Sequence, residues 1–236
     1  MESEVTVYDD VYSIPELLTQ GFFSTLLLAV VAGIFALVWG TVLGAFRVSP
    51  VGPLRTLGAV YVTVIRNSPL TLIFLFLGAT LSAMFGIVIP IARDEVFGVT
   101  INNGIIFAIV ALSIYTSAFV CEVVRSGVNS VPQGQAEAAR SIGMTFTQTL
   151  GNVVLPQALR AVVPPMISVF VAHVKNTSVA AGFAATELVA SANRLANQEP
   201  GSVVWIFTGV GLLYALITIP MGFASSRLEK KWAIVR

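Results

Sequence analysis

Five long apolar stretches alternate with short polar segments along this chain. They cover about residues 21–46, 68–90, 104–124, 160–183 and 203–224. A helix that crosses roughly 30 Å of hydrocarbon needs about 20 apolar residues, and each stretch reaches that length. The pattern therefore predicts five transmembrane helices, with an interfacial helix over 56–66 before the second of them.

The composition agrees with a membrane protein. Of the 236 residues, 56% are hydrophobic and only 11% are charged, whereas about a quarter of the residues in a soluble domain are charged. The net charge of +1 gives no basic surplus, so nucleic acid is not an expected partner. We predict an all-α integral membrane protein in a lipid bilayer.

The basic residues predict the orientation of the spans. Five spans put the two termini on opposite sides, and cytoplasmic segments carry an excess of Lys and Arg. With the N-terminus outside, the outer segments hold only Arg93 and Arg194, and the inner segments hold Arg47, Arg55, Arg125, Arg140, Arg160, Arg227, Lys230, Lys231 and Arg236. Residues 1–20 are therefore expected outside, and residues 225–236 form a cytoplasmic tail. The first stretch is too long for a cleaved signal and has no basic residue before it, so we expect a retained span.

One polar segment, QAEAARSIGMTFTQTLGNVVLPQALR at 135–160, joins the third and fourth spans. Good helix formers fill it, and an apolar side chain recurs at a spacing of four at Ala138, Ile142, Phe146 and Leu150. This predicts an amphipathic helix over 135–150. Gly143 indicates a bend or a close backbone contact. Pro156 indicates a helix boundary before the fourth span. By periodicity alone, the helix either rests on the membrane surface or docks into a groove of a partner protein.

The same segment carries a motif with fixed intervals. Glu137-Ala138-Ala139 is followed by Gly143, Val153 and Leu155-Pro156, at the spacing of the EAA loop in permease subunits of ABC importers. The chain resembles that family from about residue 20 to its end. The resemblance implies the type I importer permease core of five transmembrane helices over 21–224. It also implies that the EAA loop, 135–156, forms a cytoplasmic coupling helix that meets an ATPase through Glu137, Ala138, Ala139, Gly143, Met144, Leu155 and Pro156.

Other segments narrow the resemblance to importers of polar amino acids. RNSPL at 66–70 is similar to the Arg-x-Thr-Pro-Leu segment of the branch that includes histidine, glutamine and glutamate permeases. Residues 130–139 and 175–178 resemble the same branch, although Asn176 replaces an Asp common there. Actinobacterial glutamate permease subunits are the most similar at 47–50, 115–117 and 213–222. The resemblance implies import of a polar amino acid, glutamate in particular, across a bacterial cytoplasmic membrane.

The resemblance also implies partner subunits. A second permease subunit, identical or similar, would complete the path, and an extracytoplasmic binding protein would deliver the substrate. The chain has no Gly-x-x-x-x-Gly-Lys-Ser/Thr loop, so it is expected to bind no nucleotide and to have no catalytic residue. ATP and Mg would be bound by a separate ABC ATPase dimer.

Charged residues in the predicted spans are candidate functional groups. Lys175 either attracts an anionic substrate or pairs with a carboxylate or with carbonyls near Pro164 and Pro165. Thr177 and Ser178 are expected on the same path. We expect no metal site, because His173 has no second His, Cys or carboxylate at metal-ligand spacing.

Structural roles are expected for a second group of residues. Glu122 and Arg125 are one helical turn apart and are expected to neutralise each other, and Arg66 either joins them or braces the coupling helix. Gly40 and Gly44 permit close helix packing, either within the chain or at a subunit interface.

The residues leave two other functions open. One is a secondary transporter or channel, although the two halves of the chain show no internal repeat of the kind common in such proteins. The other is a membrane scaffold whose cytoplasmic helix tethers a partner. ATP-dependent transport would separate these functions from the importer.

Overall fold

A computed structural model of the protein describes residues 14–84, 86, 95–96, 99–183 and 185–232. Within these residues the chain forms nine α-helices: α1 (Ile14–Val48), α2 (Gly52–Asn67), α3 (Leu70–Phe74), α4 (Asn103–Asn129), α5 (Gln133–Ser141), α6 (Phe146–Thr149), α7 (Leu155–Asn176), α8 (Leu188–Gln198) and α9 (Val203–Trp232). Two π-helices, Leu75–Met84 and Leu150–Val154, and two 3-10 helices, Thr177–Phe183 and Pro200–Ser202, extend or join them. The short strands β1 (Glu95–Val96) and β2 (Val99–Thr100) pair antiparallel, with Glu95 opposite Thr100.

Membrane-spanning length is reached in four continuous segments of the described chain: Ile14–Val48, Asn103–Asn129, Phe146–Phe183 and Pro200–Trp232. A fifth crossing exists only if α2 and Leu70–Gly78, which meet at a bend of 104°, count as one broken span. Four of the five predicted spans are thus continuous helical segments, and the described part of the second, predicted over 68–90, is α3 with the π-helix that follows it. Part of the predicted stretch 68–90 lies outside the described residues.

Several helices are longer than the apolar pattern predicts. The predicted interfacial helix over 56–66 is α2, which has a proline in its first turn, where the missing N–H costs no hydrogen bond. Helix α1 begins within the predicted segment 1–20, and α9 continues into the predicted tail 225–236. Residues 1–13 and 233–236, where the rest of those two segments falls, are outside the described residues.

Helices α1 and α4 lie side by side and run parallel. A Cβ atom on Gly40 would lie 2.5 Å from the Val120 Cβ, and one on Gly44 would lie 2.7 Å from a Val124 methyl carbon. The Ser113 hydroxyl donates to the Ala32 carbonyl nearer the start of both helices. Gly40 and Gly44 therefore permit close packing within the chain, one of the two alternatives open from the sequence.

Helix α7 runs antiparallel to both α4 and α9. Gly127 of α4 meets Val162 of α7, whereas Thr116 meets His173. The Ser225 hydroxyl of α9 donates to the Pro164 carbonyl of α7 at 3.1 Å. The bundle therefore has two distinct ends. One, here called the α5 end, holds α5, the last turns of α1, α4 and α9, and the first turns of α7.

The opposite end, here called the α8 end, is closed by α8. A Cβ atom on Gly21 of α1 would contact Ser191 of α8 at 2.5 Å, so the two helices touch. Apolar side chains of α1, α8 and α9 form a buried cluster there: Leu17, Leu188, Ala192, Leu195, Ile206 and Val210. This cluster fixes the connection between the last two spans against the start of the first.

The tight contact at Gly40 leads to a stability prediction. We expect Gly40→Ala to lower the midpoint of thermal unfolding in detergent, because its methyl group would overlap Val120, an overpacking that typically costs about 1–3 kcal/mol. Gly211→Ala in α9 is the matched control, since no atom lies within 4 Å of its Cβ position. Equal midpoints for the two variants would contradict the close α1–α4 contact.

Candidate functional site

The predicted coupling helix is two short helices joined by a turn at Gly143. Helix α5 ends at Ser141, and Gly143 has a φ of +89°, a left-handed conformation that favours glycine. Helix α6 then begins with a capping box, in which the Thr145 hydroxyl accepts from the Gln148 N–H and the Thr145 N–H donates to the Gln148 side chain. The prediction of one helix over 135–150 is therefore wrong, because the turn and the cap end one helix and start another.

Gly143 shows which of the two predicted explanations applies. The bend at this residue is confirmed, but no described atom lies within 4 Å of its Cβ position. The glycine is therefore needed for its backbone conformation and not for a close contact within the chain.

The apolar side chains of this segment point away from the bundle. Ile142 is 81% exposed and Phe146 is 69% exposed. Ala139 and Thr149 are the buried residues instead, at 6% and 2%. The segment thus presents apolar side chains on its outer surface, where a partner protein can contact them.

The other members of the predicted coupling set lie on or beside this surface. Glu137 and Ala138 are exposed on α5, Met144 is half-buried, and Leu155 and Pro156 are exposed in the first turn of α7. The π-helix Leu150–Val154 joins α6 to α7, so the chain is helical from Phe146 to Phe183. The predicted boundary at Pro156 is confirmed as the start of α7, with the proline in its first turn, although the π-helix leads into α7 without a break.

Four charged residues form one cluster near the α5 end. The Glu122 carboxylate lies 3.2 Å from the Arg47 guanidinium, 3.3 Å from that of Arg125 and 3.8 Å from that of Arg66. The Arg66 guanidinium also lies over the Phe119 ring, 5.3 Å from its centre. The structure thus brings the predicted group Arg66, Glu122 and Arg125 together and adds Arg47, which the sequence reasoning assigned only to an inner segment.

This cluster links three helices through a single carboxylate. Arg47 belongs to the last turn of α1 and Arg66 to the last turn of α2, while Glu122 and Arg125 belong to α4. The Arg47 side chain is 13% exposed and that of Glu122 is 26% exposed, so neither is fully hydrated. Because partly buried charges are costly without a partner, the cluster stabilises the α1–α2–α4 arrangement.

A cavity of about 420 Å³ lies between α4 and α7. It is lined by Tyr115, Thr116, Phe119, Ser168, Val169, Ala172, His173 and Asn176. His173 Nδ1 lies 2.8 Å from the Thr116 hydroxyl, and Nε2 lies 3.1 Å from the Ala29 carbonyl. Since a carbonyl can only accept, Nε2 carries the hydrogen in that contact. The imidazole is therefore held between α1, α4 and α7 at the wall of the cavity.

The predicted substrate-path residues lie next to this cavity but do not line it. The Lys175 side chain is exposed and forms no ion pair with any described carboxylate. Thr177 is fully buried, donates to the Val174 carbonyl and lies 3.3 Å from the Tyr214 hydroxyl. The Ser178 hydroxyl donates to the Lys175 carbonyl. Thr177 and Ser178 are thus used in local hydrogen bonds.

Sequence reasoning missed Glu187, a fully buried carboxylate at the α8 end. It accepts hydrogen bonds from the Val189 and Ala190 N–H groups at 2.9 and 2.8 Å, and from the Tyr214 hydroxyl at 2.9 Å. The pKa of this carboxyl is raised, because burial disfavours its charged form. Its hydrogen bonds offset only part of that rise. The sequence pattern that could have revealed it is an acidic residue directly before apolar residues at helical spacing, Leu188, Ala192 and Leu195, which is typical of a helix N-cap.

No group of three His, Cys, Asp or Glu side chains that could hold a metal ion occurs in the part of the chain that the structure describes.

The charge cluster leads to a second stability prediction. We expect Glu122→Gln to lower the unfolding midpoint in detergent, because it leaves the largely buried Arg47 without a counter-charge, and a hydrogen bond to a charged group is worth about 1.5–3 kcal/mol. The control is Glu229→Gln, an exposed residue of α9 outside the ion pairs. A midpoint for Glu122→Gln that equals the wild type would rule out a stabilising role for the cluster.

The comparison with solved structures agrees with this architecture. The chain superposes on a chain of an amino acid ABC transporter crystallised with histidines, with a TM-score of 0.76 and 26% identity, covering 91% of this chain and 94% of that one. The fold is therefore that of a type I ABC importer permease.

Sequence relatives give the same result. The chain is 36% identical to the glutamate transport system permease protein GluC of Corynebacterium glutamicum, over 92% of this chain and 94% of the relative. It is 38% identical to the probable glutamine ABC transporter permease protein GlnM of Bacillus subtilis, over 90% of this chain and 91% of the relative. The model of the binding-protein-dependent transport system inner membrane component matches residues 30–234. The chain therefore belongs to this family, the transmembrane permease components of ABC transporters.

Proposed function

We propose that this permease subunit imports glutamate, driven by a separate ATPase. That the chain is the permease subunit of an ABC amino acid importer follows from its family and relatives. Glutamate is favoured because relatives covering more than nine tenths of the chain are named as glutamate permeases. The observation that carries the ATP-driven mechanism is the pair of exposed apolar side chains, Ile142 and Phe146, on the coupling segment.

The coupling segment is connected mechanically to the rest of the subunit. The Gln157 amide of α7 donates to the Gln135 side chain of α5 and to the Val153 carbonyl. The same helical segment, Phe146–Phe183, then carries His173 and Asn176 at the cavity wall. Closure of an ATPase pair around ATP would move α5 and α6, and this motion would reach the cavity through α7, giving alternating access.

The cavity between α4 and α7 is the proposed substrate site. Its wall combines aromatic rings with the hydroxyls of Thr116 and Ser168 and the amide of Asn176, as expected for a polar ligand. Lys175 lies one residue before Asn176 in α7 and is exposed, and we propose that its charge attracts the substrate on the way to the cavity. An anionic amino acid fits this charge better than a cationic one.

A single subunit does not enclose a path, so a second permease subunit, identical or similar, would face this one. An extracytoplasmic binding protein would deliver the amino acid. The subunit itself would catalyse no reaction, and ATP and Mg would bind to the ATPase dimer.

We place the α5 end in the cytoplasm of a bacterial cell, with the N-terminus outside. Basic residues support this orientation. The described residues Arg47, Arg125, Arg140, Arg160, Arg227, Lys230 and Lys231 belong to the elements of the α5 end, whereas Arg194 belongs to α8 at the other end.

The first functional test concerns the ATPase contact. We expect Ile142→Ser to reduce co-purification of the ATPase and ATP-driven uptake, because it removes an apolar group that would be buried on docking, worth roughly 1.5–3 kcal/mol. Val204→Ser at the start of α9 is the control, since Val204 is a similarly exposed aliphatic residue, at 73%. Unchanged association of the ATPase in Ile142→Ser would mean that this segment rests on the membrane surface and does not dock into the ATPase. Uptake without ATP would favour the secondary transporter, and no uptake in any form would favour the scaffold.

The second functional test concerns Lys175. We expect Lys175→Met to reduce glutamate uptake about tenfold, because a lost charge-assisted contact costs about 1.5 kcal/mol, while Lys175→Arg retains most of the activity. Affinity of the isolated binding protein for glutamate should not change, since that protein is a separate chain. Wild-type uptake kinetics in Lys175→Met would make Lys175 a structural residue.

A further inference from the structure

A second polar cavity lies at the α5 end, away from the cavity between α4 and α7. It measures about 440 Å³ and lies between the end of α4, the start of α5, the first turns of α7 and the last turn of α9. Its lining residues are Ser130, Val131, Pro132, Gln135, Gln157, Arg160, Ala161 and Trp232. Neither the family nor the proposed transport path assigns a role to this cavity.

The lining supplies hydrogen-bond donors and positive charge. Arg160 is exposed and forms neither an ion pair nor a hydrogen bond with any described residue. The side-chain amide N–H groups of Gln135 and the indole N–H of Trp232 also make no hydrogen bond to described residues. No carboxylate lines the cavity. A group rich in acceptor oxygens and negatively charged, such as a phosphate, fits this set of donors.

The helix end that reaches the cavity at Trp232 carries more basic than acidic residues, and α5 carries one of each, Glu137 and Arg140. The last two turns of α9, which end at Trp232, carry Arg227, Lys230 and Lys231 against the single acid Glu229. The only carboxylate that forms ion pairs in the described residues is Glu122, so no described carboxylate pairs with these cations. A basic pocket between transmembrane helices on the cytoplasmic side is a typical site for anionic lipid headgroups.

The apolar surface beside the cavity indicates a lipid and not a soluble anion. Leu159, next to Arg160, is 51% exposed, and α9 exposes an apolar stripe before its basic end at Leu216, Ile219 and Phe223. Trp232 is a half-buried tryptophan at the end of a span, where indole rings mark the headgroup level. Acyl chains can lie along these helices while the phosphate occupies the cavity.

We propose that this cavity binds the phosphodiester headgroup of an anionic phospholipid, with Arg160 as the principal contact. Gln135 belongs to α5, and Arg160 belongs to α7. A bound headgroup would therefore connect the coupling segment to the helix that carries the motion to the transport cavity. Lipid binding here does not depend on which amino acid the importer carries.

The test measures lipid binding to the purified permease–ATPase complex. The delipidated complex is titrated with phosphatidylglycerol or phosphatidylcholine, and bound lipids are counted by native mass spectrometry. We expect a saturable phosphatidylglycerol site whose apparent affinity falls about tenfold in Arg160→Gln. Arg194→Gln, which removes an exposed arginine at the α8 end, should not change it. If Arg160→Gln does not yield a folded complex, Gln135→Ala replaces it, with weaker binding expected.

Three outcomes would overturn the proposal. Equal binding of phosphatidylcholine would mean that the headgroup charge is not recognised. An equal loss in Arg194→Gln would show that overall charge and not this cavity retains the lipid. Displacement of phosphatidylglycerol by excess inorganic phosphate would identify a soluble anion as the ligand. Loss of transport with an unchanged number of bound lipids would contradict the proposed transport function and leave the lipid site supported.

Discussion

The close approach of α1 and α4 at Gly40 and Gly44 is the contact on which the rest of the bundle depends. Lipid provides no hydrophobic drive for helices to associate, so close van der Waals packing must hold them together. Because α1 and α4 run parallel in this register, Arg47 reaches Glu122 near the α5 end. The same register brings the Ala29 carbonyl to His173 in the middle of the bundle.

Polar side chains then connect the remaining helices at successive levels. Glu122 joins α2 to the α1–α4 pair, and His173 joins α7 to it. Glu187 caps α8 and accepts from Tyr214 of α9. An unpaired polar group is costly in a low-dielectric environment, so each of these contacts favours one register of its helices. The interior is specified by these few polar contacts as well as by apolar packing.

The polar and apolar groups singled out at the two ends of the bundle have different surroundings. At the α8 end, Glu187 has three donors and the apolar side chains around α8 are buried. At the α5 end, Ile142 and Phe146 are exposed and Arg160 has no partner within the described residues. Apolar groups exposed in a polar segment favour a protein partner, and an unneutralised cation beside a membrane favours an anion. The α5 end therefore presents apolar and cationic groups that other molecules can contact.

The sequence alone determined the features that depend on local composition. Apolar length predicted the spans, the EAA intervals marked the segment that we propose for coupling, and the spacing of Glu122 and Arg125 predicted their pairing. Tertiary structure decided which distant residues meet: Arg47 joins Glu122 only because α1 packs on α4, and Glu187 is buried only because α8 folds back on α1. Gly143 indicated a bend from the sequence, but the division into two helices there and the 104° bend after α2 came only from the structure. Periodicity records which side chains are apolar but not where the backbone ends one helix and starts another.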